Sequence, residues 1–167
     1  MRAFASVTDV LEKVLRVLVM TLAGALVAVI SYQVFGRYVL LRAPRWSEEL
    51  ARILMIWMTF LGAALLIRYK RSIQLEFFVH KVFTSPRAKA FIWTLNAVVM
   101  LSFALFMIYW GWQLIQFGIH TTTDSIRLPL YTVTISIPVG GLCMAVFLLE
   151  QIITEGPTMF GRSRGDS

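Results

Sequence analysis

The fold of this chain is decided by the stretch from Trp46 to Arg71, which reads Trp-Ser-Glu-Glu-Leu-Ala-Arg-Ile-Leu-Met-Ile-Trp-Met-Thr-Phe-Leu-Gly-Ala-Ala-Leu-Leu-Ile-Arg-Tyr-Lys-Arg. Its charge-free part, residues 53–67, covers roughly 22 Å at a rise of about 1.5 Å per residue. That is too short for a hydrocarbon core about 30 Å thick, whereas the same helix counted from Glu48 does span it. A membrane helix here must therefore carry its own charges, Glu48, Glu49 and Arg52, at the rim of the bilayer.

Three further charge-free runs are long enough to cross a bilayer, namely residues 17–36, 90–119 and 128–149. The chain of 167 residues is 58% hydrophobic and 15% charged, whereas a soluble domain is about half apolar and a quarter charged. The net charge of +7 could suggest nucleic-acid binding. The basic residues flank the apolar runs, however, which is typical of membrane proteins and not of a solvated basic face. The sequence therefore predicts an all-α membrane protein with four transmembrane helices in the lipid bilayer and no nucleic-acid partner.

A short amphipathic helix is predicted at the membrane interface between the second and third transmembrane helices. Within residues 73–83, four apolar residues share one helical face: Leu75, Phe78, Val79 and Val82. Pro86 ends this helix before the third span. We expect one four-helix membrane domain, residues 1–155, followed by a polar C-terminal tail, residues 156–167.

The distribution of basic residues predicts the orientation in the membrane. With the N-terminus in the cytoplasm, the inner segments carry eleven basic residues and the outer segments five. The positive-inside rule therefore predicts that both termini are cytoplasmic and that Trp46–Arg52 faces outward. A cleaved signal peptide is the competing interpretation of the first apolar run. That run continues past its small residues to Phe35, which favours an uncleaved anchor.

The charged residues at the start of the second span have two interpretations. Ser47 is placed to cap this helix, and Glu48 and Glu49 favour its positive dipole end. Arg52 lies four residues after Glu48 and three after Glu49, so all three side chains can share one face. They are either caps with a surface ion pair, worth about 0.5–1 kcal/mol, or a contact site for another protein. The residues alone leave both interpretations open.

A proline and two glycines mark the fourth span. Pro138 lies in mid-span and lacks an N–H, so it should free a carbonyl near Thr134 and bend the helix. Gly140 and Gly141 follow and permit close approach of a neighbouring helix. Cys143, the only cysteine, is interpreted as an apolar packing residue.

Catalytic and cofactor-binding patterns are not recognisable in this sequence. No charged residue lies near the middle of a predicted span, whereas proton relays and ion pathways usually need one. Haem ligation would need histidines inside the spans, but His80 and His120 lie at or beyond the span ends. The sequence contains no phosphate-binding glycine loop and no convincing Ser/His/Asp set. We therefore predict a non-catalytic membrane subunit without catalytic, cofactor-binding or metal-binding residues, whose work is packing and docking.

Four motifs resemble one known family. The family is the small membrane subunit of tripartite ATP-independent periplasmic (TRAP) transporters, the DctQ-like family. Its helix ends and proline sites are similar to Phe35-Gly36-Arg37-Tyr38, Trp46-Ser47-Glu48-Glu49-Leu50-Ala51-Arg52, Leu128-Pro129 and Ile137-Pro138-Val139-Gly140. The resemblance covers most of the chain. One departure follows helix two, where members often have a glycine, a His-Ile pair and an acidic residue. This chain has Lys70-Arg71-Ser72-Ile73, with Glu76 as the only acid, so no role is carried over for that histidine.

The resemblance implies a role in the bacterial inner membrane. A periplasmic binding protein would capture an organic acid, such as a C4-dicarboxylate, a keto acid or a sialic acid. A large membrane subunit would carry the substrate and Na⁺ sites, and this chain would pack against its scaffold and help to dock the binding protein. The predicted partner interface consists of Arg37, Trp46, Glu48, Glu49 and Arg52. The alternatives are a free-standing four-span assembly or regulatory protein and an electron-transfer membrane anchor.

Overall fold

A computed structural model describes residues 2–39, 45–82, 86–118 and 129–162, and within them the side chains of residues 6–39, 46–69, 92–118 and 129–154. The described residues form five α-helices. They are α1 (Arg2–Tyr38), α2 (Arg45–Val82), α3 (Pro86–Gly118), α4 (Tyr131–Thr134) and α5 (Ser136–Arg162).

The four predicted transmembrane helices are confirmed as long apolar helices. The segments with the length and hydropathy to cross a membrane are Ser6–Tyr38, Trp46–Tyr69, Ile92–Gly118 and Tyr131–Thr154. The last of these combines α4 and α5. Each segment overlaps one of the charge-free runs, as expected where a local run of apolar side chains is about as long as the hydrocarbon core.

Two helices extend beyond the predicted spans. The helical backbone of α2 continues without a break to Val82, so residues 73–82 are helical but do not form a separate element. No proline or glycine lies between Ile67 and Phe83 to end the helix. The side chains of residues 70–91 lie outside the described set, so the position of this segment at the membrane surface remains a prediction. Similarly, α5 continues to Arg162, so residues 156–162 of the predicted tail are helical.

The long helices pack mainly as a row, in the order α1, α2, α5, α3. The α4–α5 segment lies in the middle of this row. In its most apolar stretch of 18 residues 44% are buried, compared with 6% in the corresponding stretch of α1 at one edge. The core lies along α5, at its contacts with α2 and α3. Its largest contributions come from Leu61, Leu65, Met107, Met144, Phe147 and Leu148. Much of the surface of α1 and α3 is apolar and exposed, as expected for helices at the edges of a membrane bundle.

Candidate functional site

Side-chain contacts define two ends of this bundle. At one end, the ring of Tyr32 in α1 lies 5.7 Å from that of Trp46 in α2. At the other end, Arg68 of α2 contacts Glu12 of α1 and Glu150 of α5. We call these the outer and inner ends, after the predicted orientation. The name outer rim is used for Arg37, Trp46, Glu48, Glu49 and Arg52, and inner ion cluster for Asp9, Glu12, Arg68 and Glu150.

The outer rim residues lie on two neighbouring helix ends. Arg37 is at the end of α1, and the other four occupy the first turns of α2. Arg37, Glu48 and Arg52 are exposed, Trp46 is 44% exposed and Glu49 is partly buried. Both side chains are described for Glu48 and Arg52, and these two residues do not form an ion pair with each other despite their spacing of four. Their charges are therefore available at the surface of the bundle for contact with another protein.

The inner ion cluster joins three helices through one guanidinium. Nε of Arg68 donates to Oε2 of Glu12 at 2.8 Å. Its two terminal nitrogens donate to Asp9 and to Glu150. A guanidinium presents five N–H donors in a planar fork, so three carboxylates can each be served by a different nitrogen. The cluster therefore fixes the inner ends of α1, α2 and α5 relative to one another.

Burial is uneven within the inner ion cluster. The Arg68 side chain is 13% exposed and Glu150 is 7% exposed, whereas Asp9 is 59% exposed. The Arg68 guanidinium also lies 5.6 Å from the centre of the Phe147 ring, a distance at which an aromatic face attracts a cation. Glu12 has a second cationic partner, Arg16, one helical turn further along α1. Arg68 and Glu150 thus form the buried centre of the cluster, and Asp9 is its solvent-accessible edge.

Sequence reasoning missed this cluster. It predicted no ion pair for Arg68 and no role for Glu150. A signal was nevertheless present, because Arg68 and Glu150 each directly follow a charge-free run. In the predicted orientation both runs end on the cytoplasmic side, where Glu12 also lies. Opposite charges at the same depth in a small bundle are expected to pair, because an unpaired charge at that depth is costly.

The helix is interrupted between α4 and α5, three residues before Pro138. The carbonyl of Thr132 does not receive the usual N–H bond from Ser136, four positions later. Side chains donate to the carbonyls of Thr132 and Val133 at this point. The indole nitrogen of Trp57 donates to the Thr132 carbonyl at 3.1 Å, and the Ser136 hydroxyl donates to the Val133 carbonyl at 2.6 Å. The interruption is thereby stabilised from α2.

Glycines allow α5 to lie close to both of its neighbours. A Cβ atom at Gly140 would be 2.7 Å from Cβ of Phe60 in α2, and one at Gly141 would be 3.1 Å from the Ala104 carbonyl oxygen in α3. Across the α3–α5 contact, a Cβ at Gly111 would be 2.7 Å from Cδ of Pro138. Such distances are shorter than ordinary carbon contacts. A side chain at Gly111 or Gly140 would therefore require a neighbouring residue to shift, and one at Gly141 would fit tightly.

Metal binding depends on how histidine, cysteine and acidic side chains are grouped. Among those that the structure describes, no group of three lies close enough together to hold a metal ion. The side chains of His80 and His120 are outside the described residues. The inner ion cluster itself is arranged around a guanidinium, so its carboxylate oxygens are hydrogen-bond acceptors for Arg68.

The chain matches one protein family and resembles several known proteins. Residues 26–156 match the family model described as "Tripartite ATP-independent periplasmic transporters, DctQ component". The chain is 27% identical over 158 residues to the sialic acid TRAP transporter small permease protein SiaQ of Vibrio cholerae, covering 95% of this chain and 90% of that protein. It is 26% identical over 136 residues to the isethionate TRAP transporter permease protein DctMQ of Oleidesulfovibrio alaskensis. That alignment covers 77% of this chain but 21% of the relative, which is several times longer.

Proposed function

Because this chain belongs to the DctQ family of TRAP transporter subunits, we propose that it is the small membrane subunit of a Na⁺-coupled transporter for an organic acid. Family membership and four apolar helices make it a multi-pass protein of the bacterial inner membrane. The proposed role is non-catalytic. The observation that carries the proposal is the family match across residues 26–156, which extends from the middle of α1 to the inner half of α5.

The first proposed partner is a large membrane subunit. The charges described in the spans of this chain lie towards their ends, and the middle of each predicted span is free of charge. Ion-coupled transport usually requires polar or charged groups at mid-membrane depth, so the substrate and Na⁺ sites are assigned to another subunit. The much longer DctMQ relative supports such a partner, since one segment of that permease resembles this chain.

The second proposed partner is a periplasmic substrate-binding protein, which would dock near the outer rim. Glu48 and Arg52 are exposed at the start of α2, and Trp46 presents a partly exposed aromatic ring beside them. Tryptophan and arginine are enriched among the residues that dominate protein–protein contacts. In the predicted orientation this surface faces the periplasm.

The substrate class is proposed from the names of the relatives. One relative is named for sialic acid and the other for isethionate, and both compounds are organic anions. We therefore expect an organic acid that carries a negative charge at neutral pH. The identity of that acid is expected to be set by the binding protein and the large subunit.

The decisive experiment is affinity purification of the tagged chain from its native membrane in a mild detergent, followed by mass spectrometry. Recovery of a polytopic membrane protein with about ten or more spans, in near-equal amount, is the expected result. Uptake by proteoliposomes containing that complex, the binding protein and a Na⁺ gradient then tests the coupling. Recovery of the intact chain alone would overturn the proposal and favour a free-standing four-span protein, and bound haem absorbance would favour an electron-transfer anchor.

A further inference from the structure

We propose that Lys13, Arg16 and Tyr69 bind the headgroup of an anionic phospholipid at the inner ends of α1 and α2. This inference goes beyond the transport role and does not depend on it. Lys13 and Arg16 are three residues apart on α1, so they lie on neighbouring parts of one helix surface. Tyr69 follows Arg68 on α2.

The geometry brings Arg16 and Tyr69 together across the α1–α2 contact, and Lys13 lies one helical turn before Arg16 on α1. Cζ of Arg16 lies 5.5 Å from the centre of the Tyr69 ring. Both side chains are 45% exposed, and Lys13 is exposed as well. A guanidinium held against an aromatic face keeps most of its N–H donors available. A phosphate group is a strong acceptor for such donors and for a lysine ammonium.

The depth of these residues matches that of lipid headgroups. Arg16 directly precedes the charge-free run 17–36, and Tyr69 lies two residues after the end of the charge-free run 53–67. Tyrosine and basic side chains are common where a transmembrane helix leaves the hydrocarbon core. In the predicted orientation this end of the bundle lies in the cytoplasmic leaflet.

The carboxylates of the inner ion cluster are directed towards Arg68 and not towards Lys13. Asp9, Glu12 and Glu150 all contact Arg68. Glu12 divides its two oxygens between Arg68 and Arg16. Within the described side chains, Lys13 has no carboxylate partner. The sequence adds Lys70 and Arg71 directly after Tyr69, and basic groups at this level attract anionic headgroups.

The surface towards the bilayer is suited to acyl chains, which favours a lipid over a free phosphate ion. Val17 is 64% exposed and Met20 is 65% exposed on α1, and Leu66 is 52% exposed on α2. All three lie within four residues of Arg16 or Tyr69, on the side of the apolar runs. A diacyl lipid can therefore satisfy the basic residues with its phosphate and cover these side chains with its chains.

The test is native mass spectrometry of the full-length chain in mild detergent, titrated with dioleoyl phosphatidylglycerol or dioleoyl phosphatidylcholine. The wild-type chain should retain phosphatidylglycerol at least fivefold more than phosphatidylcholine. Lys13→Gln and Arg16→Gln should each lower phosphatidylglycerol binding about fivefold, as expected for one basic residue at an anionic surface. Lys13→Gln alters an exposed side chain outside the ion cluster, so the helical circular dichroism of this variant should remain unchanged.

Matched variants separate a specific site from general charge. Lys13→Arg should bind phosphatidylglycerol as the wild type does, and so should Arg52→Gln, which removes one charge at the outer rim. Equal retention of the two lipids by the wild type, or unchanged binding by Lys13→Gln and Arg16→Gln, would overturn the proposal. Displacement of phosphatidylglycerol by equimolar glycerol 3-phosphate would also overturn it, since the site would then select a phosphate without acyl chains.

Discussion

Arg68 and Glu150 lie 82 residues apart in the chain and form an ion pair that joins the inner end of α2 to that of α5. The same guanidinium binds Glu12 of α1 at 2.8 Å. One cation thereby holds the ends of three membrane helices that otherwise contact one another mainly through apolar side chains. Because dispersion contacts between apolar helices are weakly directional, such a pair can fix which helix ends meet.

The first prediction concerns the stability of this buried pair. Arg68→Leu removes the guanidinium that contacts the carboxylate of Glu150, which is only 7% exposed. The loss of one partner of a buried ion pair costs about 3–5 kcal/mol. We therefore expect this variant to unfold at clearly lower denaturant concentration when it is titrated with sodium dodecyl sulfate in mixed micelles and followed by circular dichroism.

A substitution at the edge of the inner ion cluster provides the control. Asp9 also contacts Arg68 but is 59% exposed, so Asp9→Asn should cost at most about 0.5 kcal/mol. Arg68→Leu removes the guanidinium and its contacts to three carboxylates, whereas Asp9→Asn removes only the exposed one of these contacts. Equal destabilisation by Arg68→Leu and Asp9→Asn would contradict the assignment of Arg68 and Glu150 as the buried centre.

The sequence predicted the elements of this fold far better than their contacts. The spans could be predicted because each is a local run of apolar residues, such as 17–36, whose length alone matches the bilayer. The ion cluster could not, because pairing Glu12, Arg68 and Glu150 requires knowing which helices are neighbours. The row order of the helices also depends on non-local packing. The continuity of α2 was not predicted, because the amphipathic pattern of residues 73–83 predicts a helix without indicating whether it continues the preceding one.

The interruption in the fourth span also combines a local effect, which the sequence predicts, with a contact between distant residues, which it does not. The effect of Pro138 on backbone hydrogen bonding is local, and the sequence therefore indicated a freed carbonyl close to Thr134. The donor that binds the carbonyl of Thr132 is Trp57, 75 residues away. Nothing in the sequence around Trp57 distinguishes its indole from the other apolar side chains of α2. Only the packing of α2 against α4 assigns it this role.

The second prediction concerns the close approach of α2 and α5. In Gly140→Ala the new methyl group would lie 2.7 Å from Cβ of Phe60 and 3.2 Å from the Phe60 carbonyl oxygen. Both atoms are at or beside the backbone, so neither can move away without shifting a helix. Overpacking of this kind costs about 1–3 kcal/mol. The expected result is a lower midpoint in the same detergent unfolding assay.

Gly62→Ala is the matched control for that substitution. Gly62 lies in α2, and a Cβ atom added there would meet no heavy atom of the described residues within 4 Å. The change is chemically identical and also occurs inside a membrane helix, where alanine is the better helix former. Stability should be unchanged or slightly higher. If Gly62→Ala destabilises as much as Gly140→Ala, the effect arises from the helices themselves and not from the contact with Phe60.

The third prediction tests the hydrogen bond that stabilises the helix interruption. Trp57→Phe keeps an aromatic ring but removes the indole N–H that binds the Thr132 carbonyl at 3.1 Å. A carbonyl left without a donor inside a membrane protein should lower stability by about 1–2 kcal/mol. Trp112→Phe is the control, because Trp112 is 62% exposed on α3. A similar loss in both variants would assign the effect to ring size and not to the hydrogen bond.

The fourth prediction separates docking from folding at the outer rim. Arg52 is exposed and does not pair with Glu48, so Arg52→Ala should leave the unfolding midpoint of the isolated chain unchanged. If Arg52 contacts a partner protein, the same variant should reduce recovery of the complex or substrate uptake several-fold, since truncation of a contact residue commonly costs about 1–2 kcal/mol of binding. Arg162→Ala, which removes a basic residue at the other end of the bundle, is the control and should assemble normally. Wild-type recovery and uptake with Arg52→Ala, and likewise with Glu49→Ala, would remove these two residues from the proposed interface, and their charges would then serve the helix start alone.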